Sequence, residues 1–404
     1  MFFLLLPVLI FLWAPILGIV LGFLGYFNYP FEYTNFQVYW RSFIGLFVTV
    51  YFLTLLRHSP QTLIVYSSVR RAPILGLLIG VFSCVVLVFI LVGIDFLVGG
   101  VSRGFIRVQL GSFGPILRLI LGFILPMLLV VSASRFIRWS ESLVSFHNLL
   151  VLFFLFGIGL SCSIMSGYKG PFIYIVGPLT TYFLVRKGGL RSFCIMSILV
   201  ILFLLLSTSI VRNIGIENAF LFLMYRIFYM SGYGDICGMA VLDNLPSLDV
   251  RYVVNNIAGS HIYQLIFSEQ VRSNLNSNLS YALSLACYPD VELVRKGVVN
   301  ITVTGISELE YVFGKFLFIP LLFLLWSFGV FLRKLHTAIL MGYRRELFSA
   351  FGLVFIFSIV LTWLNSGSIF SIFSLFNVIY LLLSLSVVSM LSKFCFKKAV
   401  SHEI

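Results

Sequence analysis

Three basic residues of this chain stand where their type and setting could do chemistry. Lys169 lies in Ser-Gly-Tyr-Lys-Gly-Pro (166–171), a glycine-flanked break between two short apolar runs. A half-helix or tight hairpin there would present backbone N–H groups and an ammonium together at a membrane surface. Arg212 is the first charge after the seventh apolar run, and Arg226 follows among Tyr225, Phe228 and Tyr229. Such a group suits a lipid pyrophosphate, because guanidinium offers bidentate contacts to its oxygens. An ordinary turn lysine and a snorkelling interfacial arginine are the plainer readings of the same residues. Other chemistries lack a signature, since the sequence holds no Walker-type, dinucleotide or serine-nucleophile motif. Its five histidines and six cysteines have no zinc spacing, so neither a metal nor a cofactor is expected.

The elements that must position these residues follow from composition. The 404 residues are 60% hydrophobic and only 10% charged, with a mean hydropathy of +1.09. Soluble domains carry roughly 25% charged residues, so the chain is read as a polytopic membrane protein. Runs of about 20 apolar residues place helices near 1–27, 41–56, 74–99, 114–133, 147–164, 171–185, 192–211, 314–332, 348–364 and 370–391. The first run lacks a basic leader segment and is read as retained.

Charge then orients the expected spans. With the N-terminus cytoplasmic, one side holds 15 basic and three acidic residues, net +12, and the other 12 basic and 11 acidic, net +1. That split obeys the positive-inside rule and places both termini in the cytoplasm. The net charge of +13 is thereby explained as a topological signal, which removes the support for a nucleic-acid partner.

One long segment then falls outside, giving the division 1–211, spans one to seven; 212–313, an extracytoplasmic loop; and 314–404, spans eight to ten and a cytoplasmic tail. A loop of roughly a hundred residues is too long for a connector. Its apolar stretches, Ala219 to Met230 and Leu279 to Cys287, predict a small helical cap at the membrane boundary. Cys237 and Cys287 both lie in it, where an oxidising compartment permits a disulfide and free thiols are equally compatible.

Ten or so spans, one large late outer loop, the Ser-Gly-Tyr-Lys-Gly turn at 166–170, Arg-Ile-Phe at 226–228 and Asn-Ile-Thr…Glu-Leu-Glu-Tyr-Val-Phe-Gly at 300–314 together resemble the O-antigen and capsule repeat-unit polymerases. The resemblance covers the topology of the whole chain, whereas the local motifs cover about a tenth of it. Many members carry an arginine in the small-residue turn, where this chain has Lys169, and a doubled arginine where it has the single Arg226. The resemblance implies an all-α integral membrane protein of GT-C type in the bacterial inner membrane. It would be a metal-independent glycosyltransferase of lipopolysaccharide or capsule biosynthesis. Its substrate would be a polyprenyl-pyrophosphate-linked oligosaccharide in a setting of membrane lipid. Chain-length regulator and flippase proteins are the implied protein partners.

The departing diphosphate would be held by Arg226, Arg212 and Lys169, and the acceptor hydroxyl needs a base. His261, Glu217, Glu308 and Glu310 are the outer-side choices. His261 ranks first because histidine tunes most readily to neutrality, and Glu308 second. A hydrogen-bonded loop histidine is an equally good reading of His261. An O-antigen ligase or a peptidoglycan-type glycosyltransferase fits a similar topology. A lipid-linked oligosaccharide flippase would need more charge inside its spans than Asp95 and Arg118 supply.

Overall fold

A long apolar run in hydrocarbon can satisfy its backbone only by bonding to itself, so runs of this length must become helices. The computed structural model describes residues 1–30, 34–57, 75–92, 113–137, 145–166, 170–241, 250–268, 279–295, 304–366 and 369–393, and among these every regular element is helical. Helices α1 (Phe2–Phe23), α2 (Asn35–Arg57) and α3 (Leu75–Val92) come first. Next, α4 (Gly114–Leu119) runs through a π-helical turn into α5 (Leu125–Phe136), followed by α6 (Phe146–Ser166), α7 (Gly170–Lys187) and α8 (Leu190–Arg212). At the C-terminal end stand α16 (Phe318–Met341), then α17 (Glu346–Phe355) continuing through a π turn into α18 (Leu361–Ser366), and α19 (Leu375–Lys393). Among the described residues, seven helices are long and apolar enough to cross a membrane: 2–23, 35–56, 114–136, 192–210, 318–341, 346–364 and 375–392. The chain is therefore an all-α, multi-pass membrane protein.

The other three expected spans are also helices but fall short by length or polarity. The apolar parts of α3 and α6 have 17 residues each, Gly76–Val92 and Phe146–Cys162, while α7 contains Pro178 and ends in Arg186 and Lys187. Helix α7 is central, touching α1, α5, α6, α8, α16 and α17. Close approach there depends on Gly177, whose added Cβ would stand 2.1 Å from the Phe357 ring. The 114–136 and 346–364 helices are 78% and 72% buried, against 18% for 192–210. The buried pair forms the core. The outer helices instead expose Ile198, Leu202, Phe323, Trp326, Leu382 and Met390, as a surface solvated by hydrocarbon does.

Some charges counted as loop residues lie inside this bundle. Arg135 and Glu346 form a buried ion pair, and Arg186 is buried with its guanidinium 3.4 Å from the Tyr182 hydroxyl. Helices extend past their apolar runs wherever a charge finds such a partner, a long-range fact that a hydropathy window does not contain.

The segment between α8 and α16 folds as helices α9 (Ile216–Met224), α10 (Met230–Val241), α11 (Val250–Ala258), α12 (Ser260–Phe267), α13 (Leu279–Cys287), α14 (Val291–Arg295) and α15 (Gly305–Phe313). The interfacial helix expected to end near Met230 continues instead through a π-helical turn, Tyr225–Tyr229, into α10. That continuation lies against α1. A Cβ on Gly18 would sit 2.1 Å from the Phe228 carbonyl oxygen, and one on Gly232 would meet the Gly18 backbone at 3.1 Å. Backbones meet here without intervening side chains. The small residues of the first span thus pack within the chain. Tyr29, stacked on Tyr229 at 4.9 Å between ring centroids, donates its hydroxyl to the Gly18 carbonyl oxygen at 3.1 Å. A disulfide between Cys237 and Cys287 ties α10 to α13. Beside it Tyr233 donates to the Cys287 carbonyl oxygen at 3.0 Å. Burial, reinforced by Tyr229, pushes that phenol above its ordinary pKa and keeps it a donor.

Candidate functional site

The site is built around the first turn of α15. Thr304 is its N-cap and accepts from the Ser307 amide, satisfying one of the amides that a helix start leaves open. Gly305 follows because a Cβ there would lie 2.5 Å from the Trp363 indole. With that contact allowed, Ser307 and Glu308 turn inward and are buried. Glu308 is fully buried, and each carboxylate oxygen has a donor. The Tyr252 hydroxyl donates to Oε1, and Trp363 Nε1 donates to Oε2 at 3.2 Å. One carboxylate thereby joins α11, α15 and α18.

A second carboxylate comes from α10. Asp235 is 2% exposed and accepts from the Thr304 amide at 3.1 Å, from Thr304 Oγ1 at 2.9 Å and from Ser307 Oγ. The third, Glu310, accepts from Trp40 Nε1 at 3.2 Å and pairs with Arg41 Nη2. Helix α2 packs on α1 and α16 and reaches α10 at Gln37. Gln37, one turn before Arg41, donates to the Met239 carbonyl oxygen at 3.3 Å, and Met239 lies one turn after Asp235.

Arg41 is 3% exposed, yet its Nε and Nη1 have no hydrogen-bond partner among the described residues. Each buried donor left open costs on the order of 1–3 kcal/mol. Arg41, Asp235 and Thr304 line one cavity whose other walls are Phe11, Leu12, Pro15, Ile16, Ile306 and Leu364. In ionised form the cluster holds three carboxylates against one guanidinium, net −2. Among the described residues no three His, Cys, Asp or Glu side chains converge as a metal site requires. The arrangement can hydrogen-bond a polar group that both donates and accepts.

The residues singled out from the sequence are distributed differently. Arg226 sits exposed on the π turn, 6.0 Å over the Phe222 ring. Arg212 ends α8 and His261 lies in the first turn of α12; the backbone of each is described, and its side chain is not. Lys169 lies outside the described residues. Glu308 faces Tyr252 and Trp363, and Glu217 is exposed at the start of α9. Sequence reading left Asp235 out altogether. It is the single acid of an otherwise uncharged helix, Met230–Val241, and that isolation was the available signal. Arg41 appeared only as one cation among a dozen. Its position six residues into an uncharged stretch of α2 is the same kind of signal. Searches of family models, curated proteins and solved structures return no match to this chain.

Proposed function

We propose that the chain is a membrane glycosyltransferase that joins polyprenyl-pyrophosphate-linked oligosaccharide repeat units into O-antigen or capsule polysaccharide. The observation that supports this reading is the junction of α1, α2, α10, α15 and α18, where the long inserted segment brings Arg41, Asp235, Glu308 and Glu310 together against the bundle. A channel or scaffold has no need of so polar a buried junction fed by an inserted segment. The Cys237–Cys287 disulfide favours an oxidising compartment for that segment, in line with cytoplasmic termini and an outward-facing site in a bacterial inner membrane.

In the proposed reaction the acceptor hydroxyl oxygen bonds to the anomeric carbon of the donor glycan. The bond from that carbon to the diphosphate oxygen breaks, and its electron pair leaves with the polyprenyl diphosphate. The hydroxyl proton passes to His261 as base, or to Glu308 once Tyr252 or Trp363 releases an oxygen. Arg226, Arg212 and Lys169 hold the departing negative charge, a role cations fill without a metal.

Surface glycan from a deletion strain tests the reading. A polymerase defect leaves one repeat on the core, a ligase defect leaves unattached lipid-linked polymer, and a flippase defect leaves units inside. Normal long-chain glycan in the deletion strain would remove the proposal. Turnover of the purified protein should also survive EDTA, and a loss restored only by divalent ions would refute the cation-only mechanism. For orientation, cysteines placed at Ser277 and Asn300 should react with an impermeant thiol reagent in intact cells, and those at Ser68 and Gly188 should not.

A further inference from the structure

We propose that the hairpin of α11 and α12 is a membrane anchor, with the tip of α12 immersed in the hydrocarbon of the leaflet at which α19 begins. Leu265 is 82% exposed and Ile266 58%, whereas Tyr263 is fully buried. Two residues span about 200° of helix, so Leu265 stands nearly opposite Tyr263. The eight residues of α12 include no Asp, Glu, Lys or Arg. Water gains nothing at such a tip, and hydrocarbon covers it without cost. Elsewhere in the same inserted segment the exposed surface is of the other kind, since α14 turns the paired side chains of Glu292 and Arg295 outward.

Position decides what covers the tip. The chain turns from α11 into α12 at Gly259, whose φ of +87° suits glycine. A Cβ there would stand 2.8 Å from the Phe376 ring. Phe376 lies in the first turn of α19, a helix that can cross the membrane, and α11 also touches the turn before it, Ile369–Phe373. The corner of the hairpin is therefore seated at the end of a span. Phe373, Leu375, Phe376, Ile379 and Leu382 are all exposed there and along α19, the surface that lipid covers. Leu265, six residues and about 9 Å of helix from the corner, adds to that surface where the span begins. Arg251 stands 5.6 Å over the Phe267 ring, as a cation does when its aromatic neighbour lies on the apolar side of a headgroup boundary. A protein partner needs roughly 1,000 Å² of matched surface, more than a tip of two side chains offers, whereas a leaflet needs no matching shape. The same hairpin brings Tyr252 to Glu308. It is thus held by that hydrogen bond on one side and by the leaflet on the other.

The anchor stands apart from the polymerase reading, and its test needs no turnover. The four cysteines outside the disulfide, Cys84, Cys162, Cys194 and Cys395, are replaced by alanine. A nitroxide is then attached at Leu265→Cys, and separately at Ile266→Cys, in the full chain held in phosphatidylcholine and phosphatidylglycerol nanodiscs. Power-saturation EPR compares collisions with oxygen, which concentrates in hydrocarbon, and with nickel-EDDA, which stays in water. Labels at Leu382→Cys and Glu292→Cys give the lipid and water references, being exposed on α19 and α14. The oxygen-to-nickel ratio at 265 and 266 should exceed that at 292 at least threefold, toward the value at 382. A ratio at both positions no higher than at 292 places the tip in water and overturns the anchor. Exclusion of both reagents, as at a protein-covered site, overturns it equally. Should the cysteine-depleted chain fail to fold, a benzophenone amino acid encoded at 265 in the otherwise native chain reads the same contact. It should form a phospholipid adduct on illumination, as one at 382 does, and an adduct at 382 with none at 265 counts against the anchor.

Discussion

Among the described residues, two buried arginines hold a carboxylate partner, and the two pairs are built to different ends. Arg135 on α5 meets Glu346 at the start of α17 with Nε at 3.1 Å from both carboxylate oxygens and Nη2 on Oε1. One guanidinium and one carboxylate cancel, and the pair is locked in the most buried part of the bundle. Arg41 meets Glu310 through Nη2 alone, keeps Nε and Nη1 open, and stands in a cavity wall with Asp235. The first pair engages both carboxylate oxygens through two guanidinium nitrogens and acts as a structural clasp between α5 and α17. The second engages one guanidinium nitrogen and borders a cavity that also holds Asp235.

Breaking the clasp should give the largest effect. Glu346→Leu alone leaves Arg135 as an uncompensated buried charge and should cost about 3–5 kcal/mol, whereas Arg135→Met combined with Glu346→Leu should restore most of it. Thermal transitions in detergent check both, and a double variant no better than the single one would show that the pair is not a closed unit. The corresponding double change Arg41→Met with Glu310→Leu should likewise preserve folding but abolish polymer, which sharpens the contrast between the regions.

Loss of the disulfide acts on the site-bearing side only. Its sequence separation of 50 corresponds to on the order of 4 kcal/mol in the chain-entropy account. In the Cys237→Ala, Cys287→Ala protein this should appear as protease sensitivity confined to 213–317, with the bundle intact. A gel shift by a maleimide polymer that requires prior reduction would confirm the bond in cells.

Smaller again are the effects expected of the diphosphate-holding cations. If Arg226 and Arg212 grip the pyrophosphate in bidentate fashion, lysine keeps the charge and loses the fork. Each change should then cost on the order of 2–4 kcal/mol of transition-state stabilisation, roughly thirty-fold to a thousand-fold in rate. Long-chain glycan on a gel, with protein level checked by an epitope tag, is the readout. Normal polymer from both variants would return Arg226 to the role of an interfacial anchor over Phe222. The least effect belongs to Arg295→Lys. Its pairing with Glu292 at 3.3 Å is exposed on both sides, and such pairs contribute about 0–1 kcal/mol.

Much of the architecture was legible from the residues because apolar run length is a local property. Each of the ten expected spans contains a helix among the described residues, and seven of these helices are long and apolar enough to cross a membrane. Residues 93–99 of the third lie outside the described residues, and Leu279–Cys287 is a helix with the bounds its apolar stretch suggested. Local pattern failed where a helix continued past its apolar run for a tertiary reason. Helix α2 starts at Asn35, ahead of the buried Arg41, and the helix through Arg226 runs on to Val241 because its glycines let it lie against α1.

By itself, the sequence determined that this is a multi-pass helical membrane protein with one long polar insertion, since hydrocarbon leaves an apolar run no other way to satisfy its backbone. Only the tertiary structure decided which charges meet. Trp40 reaches Glu310 across 270 residues, Thr304 reaches Asp235 across 69 and Trp363 reaches Glu308 across 55. No periodicity encodes such pairings. They follow from Gly18 and Gly232 letting two backbones touch, from Gly305 making room for an indole and from Gln37 of α2 bonding the Met239 carbonyl of α10. Long-range packing sets those contacts, and with them it sets the cavity in which Arg41 and Asp235 stand together.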